Sequence, residues 1–388
     1  SVELKAKSTG GAIDVSNATG SSAFTLTGGT GTDSLTGDGG DDIFKIVSSG
    51  EGNTDTFVGG AGNDTIQLSA GSHTLSTNGN ISTIEVIKTD ATSGSTVDLG
   101  GQTEGFTIQG DAQVDNITGA DGNDIITGGG SADIINGGDG DDSINGGDGD
   151  DNLTGGNGAD TFTISAGNDV IADLETNDAI VVNDSTAQVT ANNVSAFVAD
   201  SGTSSTGTVI INSASGGSTI TMTDATSGIF TINGGSSGDT ITGGGDADVI
   251  DGNGGDDDIT GGAGDDNLTG GSGNDTFRVD SGSDTIVDLG GTSGGDSDVL
   301  IVSSGATATI SNVKSFTAGG TTANNSGTVE ITTHTDGGTI NLSSASGDFT
   351  LNGQGNIDTL TGGSGSDIIA GGGGADSLSG GTGDDDIS

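Results

Sequence analysis

The sequence predicts an all-β chain wound as a parallel solenoid, and three observations carry that prediction. Residues 119–163 divide into five successive nonapeptides in one register: GADGNDIIT, GGGSADIIN, GGDGDDSIN, GGDGDDNLT and GGNGADTFT. In each of them aspartate stands sixth (Asp124, Asp133, Asp142, Asp151, Asp160) and an apolar residue eighth (Ile126, Ile135, Ile144, Leu153, Phe162). The composition agrees, because 80 of 388 residues are Gly, none is Pro, Cys, Trp or Tyr, and only 28% are hydrophobic. That is too little for a conventional globular core.

Physical chemistry explains the spacing. Glycines at positions one, two and four allow positive φ and close backbone approach, so the first six residues favour a tight turn. The last three alternate polar, apolar, polar, and read as a short strand with one inward side chain. One such strand buries nothing alone; stacked copies bury each apolar residue against the next. The aspartate carries the chemistry. A hard divalent cation takes roughly six to eight oxygens, more than one turn offers, so two consecutive turns would close the shell between them. Calcium fits this demand better than magnesium, which retains its waters. Softer metals lack Cys and have only two His.

The pattern GGxGxDxUx resembles the nonapeptides of the RTX (repeats-in-toxin) family, a parallel β-helix repeat that binds calcium. The resemblance implies a calcium-stabilised β-roll in which two nonapeptides complete one turn, with multiple Ca2+ ions in the loops of both edges. It also implies type I secretion through a C-terminal signal, which cannot be identified in this chain.

Taken in order, residues 1–27 form a β-rich lead-in with Val2, Leu4, Ile13, Val15, Phe24 and Leu26 in alternation. A first block at 28–67 supplies Asp33, Asp42 and Asp64, and 68–109 is a Ser/Thr-rich β spacer. The second block, 110–181, opens with a degenerate copy holding Asp115 and contains the five repeats above. It then runs on through Asp169 and Asp178 with most glycines gone, as a solenoid with weaker or absent metal sites would. After the spacer 182–233, a third block at 234–278 supplies Asp239, Asp248, Asp257, Asp266 and Asp275. A third spacer at 279–352, with Asp284 near its start, leads to a fourth block at 353–388 that is cut short, with Asp358, Asp367, Asp376 and Asp385. The motif F-T-(Ile/Leu)-x-G closes each spacer at Phe106, Phe230 and Phe349, so the chain is about three copies of one supermodule. Segments such as TVIIN, STITM and TVEIT read as strands, and no helix is credible. The expectation is that the spacers continue the solenoid with wider rungs; small β-sandwiches between short rolls are the alternative.

All eighteen sixth-position aspartates of the four blocks are expected calcium ligands, and Asp169, Asp178 and Asp284 weaker ones. Aspartates at position five (Asp141, Asp150, Asp256, Asp265) read as solvated charge. Unneutralised, stacked turns would place carboxylates over one another at about 4.8 Å, which is unfavourable. Low hydrophobicity with a net charge of −50 also marks disorder, so the chain is expected to be largely unfolded without calcium and a solenoid with it.

Other functions fare poorly. Six Lys and Arg against 56 Asp and Glu argue against nucleic acid and anionic membranes, and no apolar run approaches a transmembrane helix. His73 and His334 lie in different spacers, outside any HExxH pattern, and a regular ladder of wet carboxylates lacks the asymmetry of an acid–base pair. No catalytic residue is expected. A chain without an initiator Met that ends inside a repeat reads as a piece of something longer. The expected function is a calcium-binding structural repeat protein, secreted by a bacterium and part of a surface layer, sheath or filament, since repeated units suit periodic assembly. Self-association is the expected partnership, with a cell-surface polysaccharide as a further possible partner. The stalk of a large RTX adhesin, or the calcium-binding module of a secreted enzyme or toxin, are the alternatives.

Overall fold

The computed structural model describes residues 2–7, 9–18, 22–47, 54–89, 93–199, 201–290 and 297–388; the other parts of the predicted lead-in, first block and spacers lie outside the described residues. All regular structure among them is short β-strand, and every strand pairing whose register is resolved is parallel. They contain no helix, and so none long and apolar enough to cross a membrane. Contacts divide the chain into two compact units, 1–190 and 191–388.

In the first unit, consecutive repeats alternate between two ladders. Ile125–Gly130, Ser143–Asp148 and Thr161–Ile164 stack on one, with Ile126 beside Ile144 and Ile144 beside Phe162. Asn116–Thr118, Ile134–Asp139 and Asn152–Asn157 stack on the other, with Ile117 beside Ile135 and Ile135 beside Leu153. Each of these eighth-position side chains is buried, because the period of two in x-U-x sends one side chain inward and its neighbours out. Ile125 and Ile134, one residue earlier, accordingly remain half exposed.

The second inward place differs between strands that run into a glycine turn and strands that do not. Where a glycine opens the next repeat, it takes that place: Gly128, Gly137, Gly146 and Gly155 are all buried. Elsewhere a second apolar residue fills it, as in Phe44 with Ile46, Ile66 with Leu68, and Phe162 with Ile164. Phe44 also meets Phe57 edge to face, ring centroids 6.1 Å apart, a geometry aromatic pairs favour. Spacer strands lie in the same ladders as block strands: Thr65–Leu68 pairs with Val86–Thr89, which pairs with Thr107–Gln109. The solenoid therefore runs through the spacers, and the sandwich alternative does not occur in either unit's described residues.

The second unit is built the same way. One ladder runs from Thr208–Ser213 through Phe230–Asn233, Val249–Asp251 and Asn267–Thr269 to Asp386–Ile387. A facing series includes Thr240–Thr242, Asp258–Thr260 and Thr276–Val279. Ile232, Ile250 and Leu268 stack within the first, Ile241, Ile259 and Phe277 within the second, all fully buried.

Leu153→Ala should destabilise the calcium-saturated first unit by about 2–5 kcal/mol, whereas Ile134→Ala on the outward side should stay within about 0.5 kcal/mol. Urea unfolding with hydrogen exchange over 119–163 checks both; equal effects would contradict the assigned facing.

Candidate metal sites in the aspartate loops

The sixth-position aspartate closes each turn, one residue before the strand and two before the buried apolar side chain. From Asp33 to Asp367 all of these aspartates are buried, and only Asp376 and Asp385, in the last two repeats, are part exposed. Their Oδ1 atoms form a regular linkage along each edge. Asp142 Oδ1 accepts the backbone N–H of Asp124 at 2.7 Å, Asp151 that of Asp133 at 2.8 Å, and Asp160 that of Asp142 at 2.8 Å, each across 18 residues. The same bond recurs in the second unit from Asp239 to Asp257 and from Asp248 to Asp266. It also includes the three weaker candidates, since Asp169, Asp178 and Asp284 accept from Asp151, Asp160 and Asp266.

The second carboxylate oxygen sorts the repeats into two kinds. In the first, Oδ2 accepts the N–H of position two of its own repeat. This holds for Asp33, Asp42, Asp115, Asp124, Asp239, Asp248, Asp358 and Asp367, with donors such as Ala120 at 2.7 Å and Gly244 at 2.6 Å. In the second kind Oδ2 is buried with no hydrogen-bond partner: Asp64, Asp133, Asp142, Asp151, Asp160, Asp257 and Asp266, joined by Asp169 and Asp284.

Within the four blocks the backbone at position two follows this sorting, whereas Asp169 and Asp284 lack a partner with Ser165 and Asp280, neither at positive φ, at that place. Gly60, Gly129, Gly138, Gly147, Gly156 and Gly262, and also Asn253 at φ 65°, have positive φ, and each stands in a repeat whose Oδ2 is unpartnered. Positive φ turns that N–H away from the carboxylate. Gly271, Gly372 and Gly381 share the conformation in the repeats of Asp275, Asp376 and Asp385. A side chain there meets more than strain, because a β-carbon on Gly147 would strike the Gly129 carbonyl one turn back. Position one is equally closed: a β-carbon on Gly128 would lie against both Asp133 Oδ2 and the Gly146 carbonyl oxygen. Carboxylate and carbonyl oxygens from consecutive turns thus converge on the space that the missing side chain leaves.

Among the described residues no three carboxylate or imidazole groups come together, so a cation here would draw much of its shell from backbone carbonyls. Hard, oxygen-rich coordination from flexible loops suits calcium, and the buried, unpartnered Oδ2 atoms fit it. Burial, with neighbouring carboxylates adding to it, pushes Asp133, Asp142 and Asp169 up to about 7, and Asp64 and Asp257 to about 6. Each of these groups ionises less readily than an exposed aspartate, and a positive charge placed beside it would favour the ionised form.

Several residues of the same linkage escaped the nine-residue pattern. Asp55 accepts from Asp33 N–H at 2.7 Å, Asp298 from Asp275 at 3.0 Å, and Glu85 from Asp64 at 2.8 Å. Asp55-Thr-Phe57 and Asp298-Val-Leu300 keep the D-x-U spacing, a signal visible once the glycines are ignored. Asp173 and Asp288 end the series differently, each gripping two successive glycine N–H groups: Gly155 and Gly156 at 2.9 Å each, and Gly270 and Gly271 at 2.9 and 2.7 Å. Their shared context, ADLE and VDLG, carries that signal. The position-five aspartates are exposed yet bonded, with Asp141, Asp150, Asp256 and Asp265 each accepting an N–H from the next turn at 2.8–3.0 Å. They are struts as well as solvated charge. His73 is buried with Nε2 2.8 Å from the Ser69 carbonyl, and His334 stands beside Asp336.

These carboxylates bind protons more tightly folded than unfolded, where aspartate titrates near 3.9. The metal-free fold is therefore favoured fully below about pH 4, and that contribution is lost as pH rises to about 7. Without calcium, far-UV circular dichroism should show β structure appearing on acidification from pH 8 to 4. Calcium addition at pH 6–7 should release protons measurable by pH-stat titration; a proton-silent titration would contradict the raised values.

A family model described as the RTX calcium-binding nonapeptide repeat (4 copies) matches residues 25–44, 49–80, 109–144, 127–162, 136–171, 231–259, 251–286 and 352–387. Among curated proteins none matches the chain. The family matches fall on the aspartate-loop blocks and together cover more than half of the sequence. By its repeats, its parallel ladders and its buried aspartate loops, the chain belongs to the RTX calcium-binding repeat family.

Proposed function

We propose that this chain is an extracellular structural repeat protein of a bacterial surface layer, sheath or filament, which completes its fold and assembles when calcium binds. The observation that carries the reading is the run of consecutive repeats, Asp133 to Asp169, in which each buried Oδ2 lacks a partner. Such a column is unfavourable as carboxylate alone and becomes favourable with a cation in each loop. Calcium would be held at repeats of this kind, including those of Asp64, Asp257 and Asp266. Where both oxygens already accept N–H groups, as at Asp115, Asp124, Asp239 and Asp248, the carboxylate has less capacity left and serves first as a strut. Calcium is abundant outside cells, where such sites need not bind tightly. Both units repeat one ladder architecture through blocks and spacers, which supports a structural role over a catalytic one.

The ligand assignment is tested by Asp142→Asn, which keeps an oxygen for the Asp124 N–H but removes the charge. It should lower the calcium stoichiometry by about one ion and weaken hydrogen-exchange protection around 119–163, while Asp124→Asn should leave stoichiometry closer to wild type. Equal losses would remove the distinction between the two kinds of repeat.

Assembly is tested by adding calcium back to chelator-stripped protein, with electron microscopy, light scattering and circular dichroism on the same samples. Sheets or filaments should form as β structure forms. Folded particles that stay single would overturn the assembly reading and leave a spacer or secretion module.

A further inference from the structure

The chain has six Lys and Arg against 56 Asp and Glu, so an ammonium group without a carboxylate partner calls for an account. Lys5 pairs with Glu3 at 3.2 Å and Arg278 with Asp258 at 2.8 Å. Lys45 and Lys88 make no ion pair among the described residues. Forty-three residues apart in sequence, they stand in one outward column of the first unit: Lys45 pairs in register with Gln67, Gln67 with Lys88, and Lys88 with Gln109. The column beside it runs Ile43, Thr65, Val86, Thr107 and Ile125. Neither column holds a carboxylate over these rungs; they carry only ammonium, amide, hydroxyl and apolar groups, and the nearest carboxylates on this side, Glu85 and Glu104, stand at the loop end beside Thr107 and Ile125. The two ammonium groups are two rungs apart, about 9.6 Å at about 4.8 Å per rung.

We propose that this face docks the acidic loop edge of a second copy of the chain; the proposal rests on the assembly reading and names its lateral contact. Charge complementarity points to the partner. Asp121 and Asp139, 18 residues apart on one edge of the second block, are both exposed, as is Asp141. Asp121 and Asp139 stand one rung apart on their edge, within the two-rung span of the lysines, so both carboxylates lie within reach of the two flexible ammonium groups. Exposed pairs of this kind are individually weak and screened by salt, and they act chiefly by selecting partner and register. Val86 and Ile43, part exposed beside the lysines, add apolar contact.

The test compares wild type with Lys45→Glu/Lys88→Glu, both calcium-saturated, by sedimentation and electron microscopy at low and at high NaCl. The variant should keep its circular dichroism and calcium stoichiometry, while its critical concentration for assembly rises by about tenfold or more. Mixing it with Asp121→Lys/Asp139→Lys protein should restore assembly, and high salt should weaken the wild type. Lys45→Gln/Lys88→Gln, which only removes charge, should show an intermediate rise and covers the case in which the reversal disturbs folding. Unchanged assembly by both variants would overturn this contact while the assembly reading stands. Wild-type protein that folds but never assembles would overturn both. Single particles that bind polygalacturonate through these lysines would overturn the second copy in favour of an anionic glycan.

Discussion

The structure depends on how a column of buried carboxylates is held together. Adjacent like charges about 4.8 Å apart repel by about 3.5 kcal/mol at an effective dielectric near 20. A charge-assisted hydrogen bond returns only about 1.5–3 kcal/mol. The Oδ1 bond to the preceding turn therefore fixes geometry without neutralising the column. Protons or cations can supply the rest, which is the physical basis for the proposed link between folding, acidity and calcium.

Glycine's contribution is positional. At position one it clears a space on which an Oδ2 and a carbonyl oxygen converge, as at Gly128 with Asp133 and Gly146. At position two its φ sets whether the local N–H satisfies Oδ2 or leaves it unpartnered, as the contrast between Ala120 and Gly138 shows. The opening repeats of each block are of the satisfied kind, Asp115 and Asp124 in one unit, Asp239 and Asp248 in the other. Their turns stack on spacer turns, with Ser95, Phe106, Ser218 and Phe230 as donors; the repeats that follow stack on turns of the block itself and switch. Asp173 and Asp288 then grip the last glycine N–H pairs, so a fixed carboxylate ends each series. One sequence motif thus yields struts, candidate ligand loops and end caps, according to what lies one turn away.

The spacers serve the same architecture by another route. Where glycine loops are missing, a second inward apolar residue such as Leu68 or Ile164 substitutes core burial, at about 25 cal/mol per Å², for coordination. Both kinds of turn share one ladder because parallel strand pairing asks only for matched backbone, not for matched loops.

The sequence by itself determined the inward residue of each repeat, since a period of two around Ile126, Ile144 or Leu268 has only one way to bury its apolar member. It likewise placed an aspartate at every turn of the blocks, because nine-residue spacing keeps Asp133 over Asp151 whatever else varies. Only the tertiary structure decided which of those aspartates keep an unpartnered oxygen, because that depends on a backbone φ imposed by the neighbouring turn rather than on the motif. It alone brought Asp55, Asp298 and Glu85 into the linkage, and Lys45 and Lys88 into one column. Spacer rungs are not nine residues long, so their alignment follows strand register in space and leaves no period in the sequence to read.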